Sequence, residues 1–353
     1  MVKRHEILRT KLYGNYQYIS KEPFIVTQSE INRDEYFAHI FDLRKEYPIK
    51  ANIQNNIFTC VIDHIAFDGW STSLFLRDIE SYYYDEVPAE LRFQYKDYAK
   101  CQQDFLNSSQ IEPQLKFWKD EFSSYVPLKS FYTKKIDTVT KDGADEYLYL
   151  DDDLYLEINR YVNNYGTTLH NFLLSIFFLS VIKVSGQKNI SIMIPSLNRS
   201  VSGVEDLIGL FINKFLVTVN MNDSISYREF LNDLNSKIIT YQNNQDIPFE
   251  MIVDKLNLDM SGYKLYFGIQ GFKGEALKNS TIFEALPEMN GKDQKDAFSD
   301  LTIFVWGQNI DFNFAKSTFN REEILNFINI YKSILCKVLK NNNLRLNTII
   351  KKK

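Results

Sequence analysis

Apolar residues along the chain fall into two rhythms, short continuous or alternating runs and longer stretches spaced by three and four. The run Ile57 to Ile62, rich in β-branched residues, predicts a buried strand, with the segment from Ala51 leading into it. It stops at Asp63, and the spacing then turns helical at Leu74, Ile79 and Tyr82, predicting a helix to about Tyr84. Upstream, residues 14–50 are polar and aromatic, with a helix expected over 33–46, and a second helical region follows Pro88. Residues 126–145 hold Pro127 and a Lys/Thr/Asp-rich run without sustained periodicity, which predicts a boundary between two lobes. Beyond it the pattern predicts a strand over 146–150 and a helix over 154–165. Gly166-Thr167-Thr168 supplies a stop and an N-cap for a long apolar helix through 172–184. A β-branched strand over 190–195, strands over 265–271 and 301–306, and an amphipathic helix over 322–339 complete the pattern.

The chemistry concentrates where the first strong strand gives way to a helix. His64 follows that strand, and Asp68 and Gly69 come at the helix start. An imidazole titrates near neutrality and can take a proton from an attacking amine or hydroxyl. Asp68 has three possible jobs: to orient His64, to reach an arginine elsewhere, or to cap the helix, a frequent role for aspartate. Gly69 leaves room for close approach of backbone or substrate. Spacing alone favours the plainer reading, a loop histidine and a capping aspartate, because His-x-x-x-Asp arises readily by chance. Ser71 belongs to the helix start and has no case as a nucleophile; His5 and His170 read as structural and His39 as an exposed or half-buried surface residue.

Composition narrows the classes. The 353 residues are 44% hydrophobic and 15% aromatic, enough for a large core in two lobes and against disorder. A net charge of −4 gives no electrostatic case for nucleic-acid binding, and the terminal lysines read as a solvated end. Three scattered cysteines suggest neither a disulfide framework nor a metal cluster, and a reducing cytoplasm is expected. The start lacks a signal-peptide core, and the 172–184 run is too short to span a bilayer. With four histidines, the other three remote from His64, no metal site is expected. No internal repeat, phosphate loop or nucleophile elbow appears.

Asp63-His64-Ile65-Ala66-Phe67-Asp68-Gly69-Trp70-Ser71 resembles the H-H-x-x-x-D-G-W-S signature of condensation domains of nonribosomal peptide synthetases, with Asp63 in place of the first histidine. Further stretches resemble the same family in the same order. They are Arg4 to Leu12 (R-H-E-x-L-R-T-x-F), Tyr95 to Gln102 (Y-x-D-Y-A-x-W-Q, Cys101 replacing tryptophan) and Gln114 to Trp118. Ile190 to Arg199, Leu207 to Asn213 (I-G-x-F-x-N) and Gln245 to Glu250 (Q-D-x-P-F-E) follow. The resemblance implies an α+β fold of two chloramphenicol-acetyltransferase-like lobes, each a mixed sheet with packed helices, and an active-site tunnel between them. With the junction placed at the polar 126–145 run, the expected division is 1–130 for the N-terminal lobe, 140–345 for the C-terminal lobe and 346–353 for a basic tail. Relative to the family the chain is expected to be N-terminally shortened, since a strand and helix usually precede the Arg4 stretch.

The resemblance also implies roles. His64 is the expected catalytic residue. Asp68, Gly69 and Arg199 support the site, with Asp68 and Arg199 expected to pair across the lobe interface. Asp63, Trp70, Ser71, Gly209 and Asn213 are expected to line it. The implied reaction joins an acyl or peptidyl thioester on a donor carrier protein to the amine of an aminoacyl acceptor on a second carrier. No cofactor is bound by the chain itself, because the substrates come on phosphopantetheine arms, and adjacent synthetase modules are further expected partners. Asp63, Asp68 and Ser71 also meet most of the D-x-x-x-x-D-x-x-S pattern of heterocyclization domains. A non-catalytic carrier-docking module and a free-standing acyltransferase complete the alternatives. Asp63 has two possible effects, raising the basicity of His64 or pointing away along the strand.

Overall fold

A computed structural model describes residues 1–128, 142–259, 264–269, 280–284 and 296–351. The chain forms two compact units, both discontinuous in sequence. The first comprises Met1–Gln110 and Leu197–Ile212, with the described residues 280–284 of a third stretch. The second holds the rest.

In the first unit the described strands pair as two antiparallel hairpins, β1 (Thr10–Tyr13) with β2 (Tyr16–Ile19), and β3 (Ile49–Gln54) with β4 (Ile57–Ile62). The single strand expected from Ala51 is therefore a hairpin. Its two-residue turn, Asn55-Asn56, has both φ angles positive (50° and 61°), a conformation asparagine tolerates well. The helix expected over 33–46 is only α1 (Arg33–Phe37). Beyond it Glu46 folds back, accepting from Asp42 N at 2.8 Å and meeting His39 Nε2 at 3.0 Å, which closes a turn in place of further helix. The helix predicted after the histidine motif is α2 (Gly69–Tyr83), and α3 (Tyr95–Leu106) follows. Ile49, Leu74, Phe75 and Ile208 form the core that joins the β3–β4 hairpin to α2.

The second unit carries the mixed sheet. It contains α4 (Glu112–Phe122), β5 (Gly143–Tyr149), α5 (Asp152–Asn164), α6 (Leu169–Ser185), β6 (Asn189–Ser196) and β7 (Asn213–Asn220). α7 (Tyr227–Gln242), α8 (Phe249–Leu256), β8 (Leu265–Ile269), β9 (Leu301–Trp306), β10 (Asn309–Ala315), α9 (Arg321–Lys340) and α10 (Leu346–Ile350) follow. The sheet order is β5-β10-β9-β8-β6-β7, parallel at β6–β8 and β8–β9 and antiparallel elsewhere. Thr168 caps α6, accepting from Asn171 N, and Gly186 ends it at φ 75°. Every residue from Asn171 to Ile182 is buried, and Tyr331 of α9 donates to Leu173 O at 3.0 Å. A helix apolar all round, without charge through its middle, has to be enclosed in this way. No single helix among the described residues is long and apolar enough to cross a membrane.

Two expected boundaries change. α4 belongs to the second unit, where Trp118 stacks on Phe215 and donates to Asn244 O at 2.8 Å, so the first contiguous stretch ends at Gln110. The expected junction falls largely on 129–141, outside the described residues. The expected tail is a helix over 346–350: Leu346 and Ile349, three apart on one face, are both fully buried, and Lys351 alone of the described lysines there remains as an exposed end.

Candidate active site

β4 ends at Ile62, and Asp63 starts a one-turn 3₁₀ helix over His64–Ala66. Asp63 N donates to Pro48 O at 2.8 Å, Asp63 Oδ1 accepts from Ile65 N at 2.9 Å, and Ala66 N closes onto Asp63 O at 3.1 Å. His64 is exposed, and its ring has no hydrogen-bond or ion-pair partner among the described residues. Asp68 does not touch it. Instead Asp68 is the N-cap of α2, 4% exposed, with Oδ1 accepting from Ser71 N at 2.9 Å.

The same carboxylate is the anchor for residues 197–212. Arg199 Nη2 donates to Asp68 Oδ1 and Oδ2 at 3.0 and 3.1 Å, and Phe211 N donates to Oδ2 at 3.1 Å. Arg199 Nη1 satisfies the carbonyls of Val204 and Leu207 at 2.7 and 2.8 Å, and the guanidinium lies 3.9 Å over the Phe211 ring. Burial lowers the arginine's pKa, and the charge of Asp68 works against that; guanidinium stays protonated in any protein setting. Ser71 Oγ lies 2.7 Å from Asp68 Oδ1 and accepts from Gly209 N at 3.1 Å. The expected pairing of Asp68 with Arg199 is present. It is internal to the first unit, because the chain leaves β6 at Ser196 and Leu197–Ile212 belongs to that unit.

Of the residues expected to line the site, Asp63 is half-buried and Trp70 is 43% exposed, donating to Glu205 O at 2.9 Å. Ser71 and Gly209 do not line a surface. Ser71 is fully buried in the Asp68 network, and a Cβ on Gly209 would lie 2.1 Å from Tyr95 Cδ2. Asn213 is likewise buried, in the second unit, where its Nδ2 donates to Gln245 O and Ile247 O and its Oδ1 accepts from Phe249 N. It splints the turn ahead of α8. Gly69 differs from all three: it is exposed, and a Cβ there would meet no atom within 4 Å. The protein's own packing does not demand that glycine.

Sequence reasoning gave no role in the site to Tyr95, Arg77 or Phe211. Tyr95 donates to Leu210 O at 2.8 Å and its ring occupies the space left by Gly209; Arg77 Nη1 reaches Asp206 at 3.1 Å. Tyr95 and Phe211 stood inside recognised stretches, but nothing local says that an aromatic ring meets a glycine far along the chain. A cavity of about 1480 Å³ in the first unit is lined by Phe24, Ile49, Ile53, Phe75 and Phe283 among others. His64 is not among its lining residues. Among the described residues, no group of three His, Cys, Asp or Glu is placed to hold a metal.

Residues 1–350 match the family model of the Condensation domain. The chain is 32% identical over 238 residues to one of the linear gramicidin synthase polypeptides of Brevibacillus parabrevis, covering 64% of this chain and 5% of that one. It is 26% identical over 375 residues to tyrocidine synthase 3 of Brevibacillus parabrevis, covering 99% of this chain and 6% of that one. The chain thus spans a small part of the length of these relatives. Among solved structures it resembles the condensation domain from Monacolin K polyketide synthase MokA, with a TM-score of 0.78 at 15% identity over 98% of this chain and 88% of that one. The strand, histidine turn and braced helix described above therefore belong to a member of the Condensation domain family, of the kind found in nonribosomal peptide synthetases.

Proposed function

We propose that the chain catalyses amide formation between an acyl or peptidyl thioester on a donor carrier protein and the amine of an aminoacyl acceptor on a second carrier. The observation that carries this reading is His64. It is exposed and has no described partner, yet it stands on a strand–turn–helix unit whose helix is locked by a buried ion pair. An imidazole presented in this way has its ring nitrogens open to a substrate, on a rigid mount.

The amine nitrogen adds to the thioester carbonyl carbon, the C–S bond breaks, and the proton lost by nitrogen ends on the departing sulfur. One amide and one thiol result. His64 takes that proton or holds the amine by a hydrogen bond as it attacks. Much of the rate comes from alignment of two reactants that already react downhill. In this reading no cofactor is resident, and the substrates arrive on the phosphopantetheine arms of the carriers.

His64→Ala, assayed with the chain in its native polypeptide and both carriers loaded, is expected to cut amide product about 10²- to 10⁴-fold. Carrier binding should be unchanged. A second reading, a docking module without chemistry, is favoured by one observation: Asp63 stands where the family signature has its first histidine. Unchanged product formation in His64→Ala would overturn the catalytic reading in favour of that one.

A further inference from the structure

Resting on the reading that His64 acts at the amine, we infer that Asp63 is a positioning residue whose carboxylate, by capping the turn that begins at His64, sets the direction in which the imidazole leaves the backbone. A histidine in an active site is ordinarily aimed by a partner on its second ring nitrogen. His64 has no such partner among the described residues, so the placement of its backbone decides where the ring can go. That backbone is held by four hydrogen bonds. Asp63 takes part in three of them, through its N–H to Pro48 O, its carbonyl from Ala66 N and its Oδ1 from Ile65 N; the fourth joins Phe67 N to His64 O at 3.2 Å. Of the four, the bond to Oδ1 is the only one made by a side chain. A turn of three residues has little stability of its own, and a side-chain acceptor for its early N–H groups is what fixes it.

This role differs from charge pairing. No hydrogen bond or ion pair joins Asp63 to His64, and the described contact of the carboxylate is with the Ile65 N–H. Asparagine can accept the same bond without the charge, and alanine cannot. The two roles therefore separate by substitution.

The test compares Asp63→Ala, Asp63→Asn and His64→Ala in the full chain with both carriers loaded. Asp63→Ala is expected to lower kcat ten- to a hundredfold, the scale on which a misplaced group loses rate, with each carrier's KM within about twofold. Asp63→Asn is expected to recover to within about threefold of the unsubstituted protein and to keep its pH–rate profile. Full turnover in Asp63→Ala overturns the inference. So does an Asp63→Asn variant as impaired as Asp63→Ala, or one with a displaced profile, since either result assigns the effect to charge. If Asp63→Ala does not fold, Asp63→Glu keeps the charge but displaces it from the cap, and is expected to lose turnover; full turnover there overturns the inference equally. Loss with His64→Ala but none with Asp63→Ala removes the positioning role alone, whereas full turnover with His64→Ala removes the catalytic reading itself.

Discussion

His5 and Asp78 are buried together, with Nε2 and Oδ2 2.8 Å apart, Arg4 Nε on the same oxygen at 2.8 Å and Arg77 on the other at 3.2 Å. Burial lowers the pKa of His5 by more than Asp78 raises it, so the ring is held neutral. Burial pushes Asp78 upward, but the His5 hydrogen bond and the charges of Arg4 and Arg77 outweigh it, leaving the carboxyl below its ordinary 3.8. Both groups then oppose acid. Below the ordinary histidine value of 6.5 the unfolded chain takes up a proton that folded His5 resists, so stability declines as pH falls. The part owed to Asp78 is present above 3.8 and is lost as pH falls through its lower folded value. The melting temperature is expected to fall from pH 7 to 5 and again below 4, and His5→Gln should flatten the upper portion. A melting temperature level between pH 7 and 5 in the unsubstituted protein would contradict this. That His5 is structural was legible in the sequence, but Asp78 was not: an aspartate in the middle of an amphipathic helix reads as surface until the N-terminal segment is seen to cover it.

Residues 197–212 depend on one carboxylate. Asp68 accepts from Arg199, Phe211 N and Ser71, and the arginine in turn holds two carbonyls of its own segment. With the two side chains only 5% and 2% exposed, removing either partner leaves an unpaired charge away from water. Arg199→Ala is therefore expected to cost roughly 3–5 kcal/mol of stability, read from denaturant unfolding. Full stability together with full activity in that variant would show that the pair braces nothing. Asp68 was left with three roles by sequence alone; the structure gives it two of them at once, the cap and the arginine partner, and denies it the third, orientation of His64. The motif His64-Asp68-Gly69 was readable because its residues lie within one short stretch. The Tyr95–Gly209 contact was not, because the close approach of a ring to a backbone is a property of two distant segments.

The first unit includes residues that come late in the sequence. A fragment ending at residue 130, the linear division expected from the polar 126–145 run, contains α4 without its second-unit partners and lacks Arg199 and Phe211. Such a fragment is expected to show no cooperative melting, because Asp68 would be buried unpaired and the Ile208 contact to the core would be missing. A sharp transition at a native-like temperature would refute the discontinuous organisation.

Hydrophobic periodicity by itself determined β4, α2, the fully apolar α6 and β9, because burial acts on neighbours a few residues apart. The change of pattern at the histidine motif likewise marked the turn that joins β4 to α2. Only the tertiary structure decided that Leu197–Ile212 joins the first unit, that Ser71, Gly209 and Asn213 are internal rather than lining, and that the last apolar pair forms a helix instead of a tail. These outcomes turn on which distant groups satisfy a buried charge, a close backbone approach or an exposed apolar face, and a linear pattern of residues does not specify those pairings.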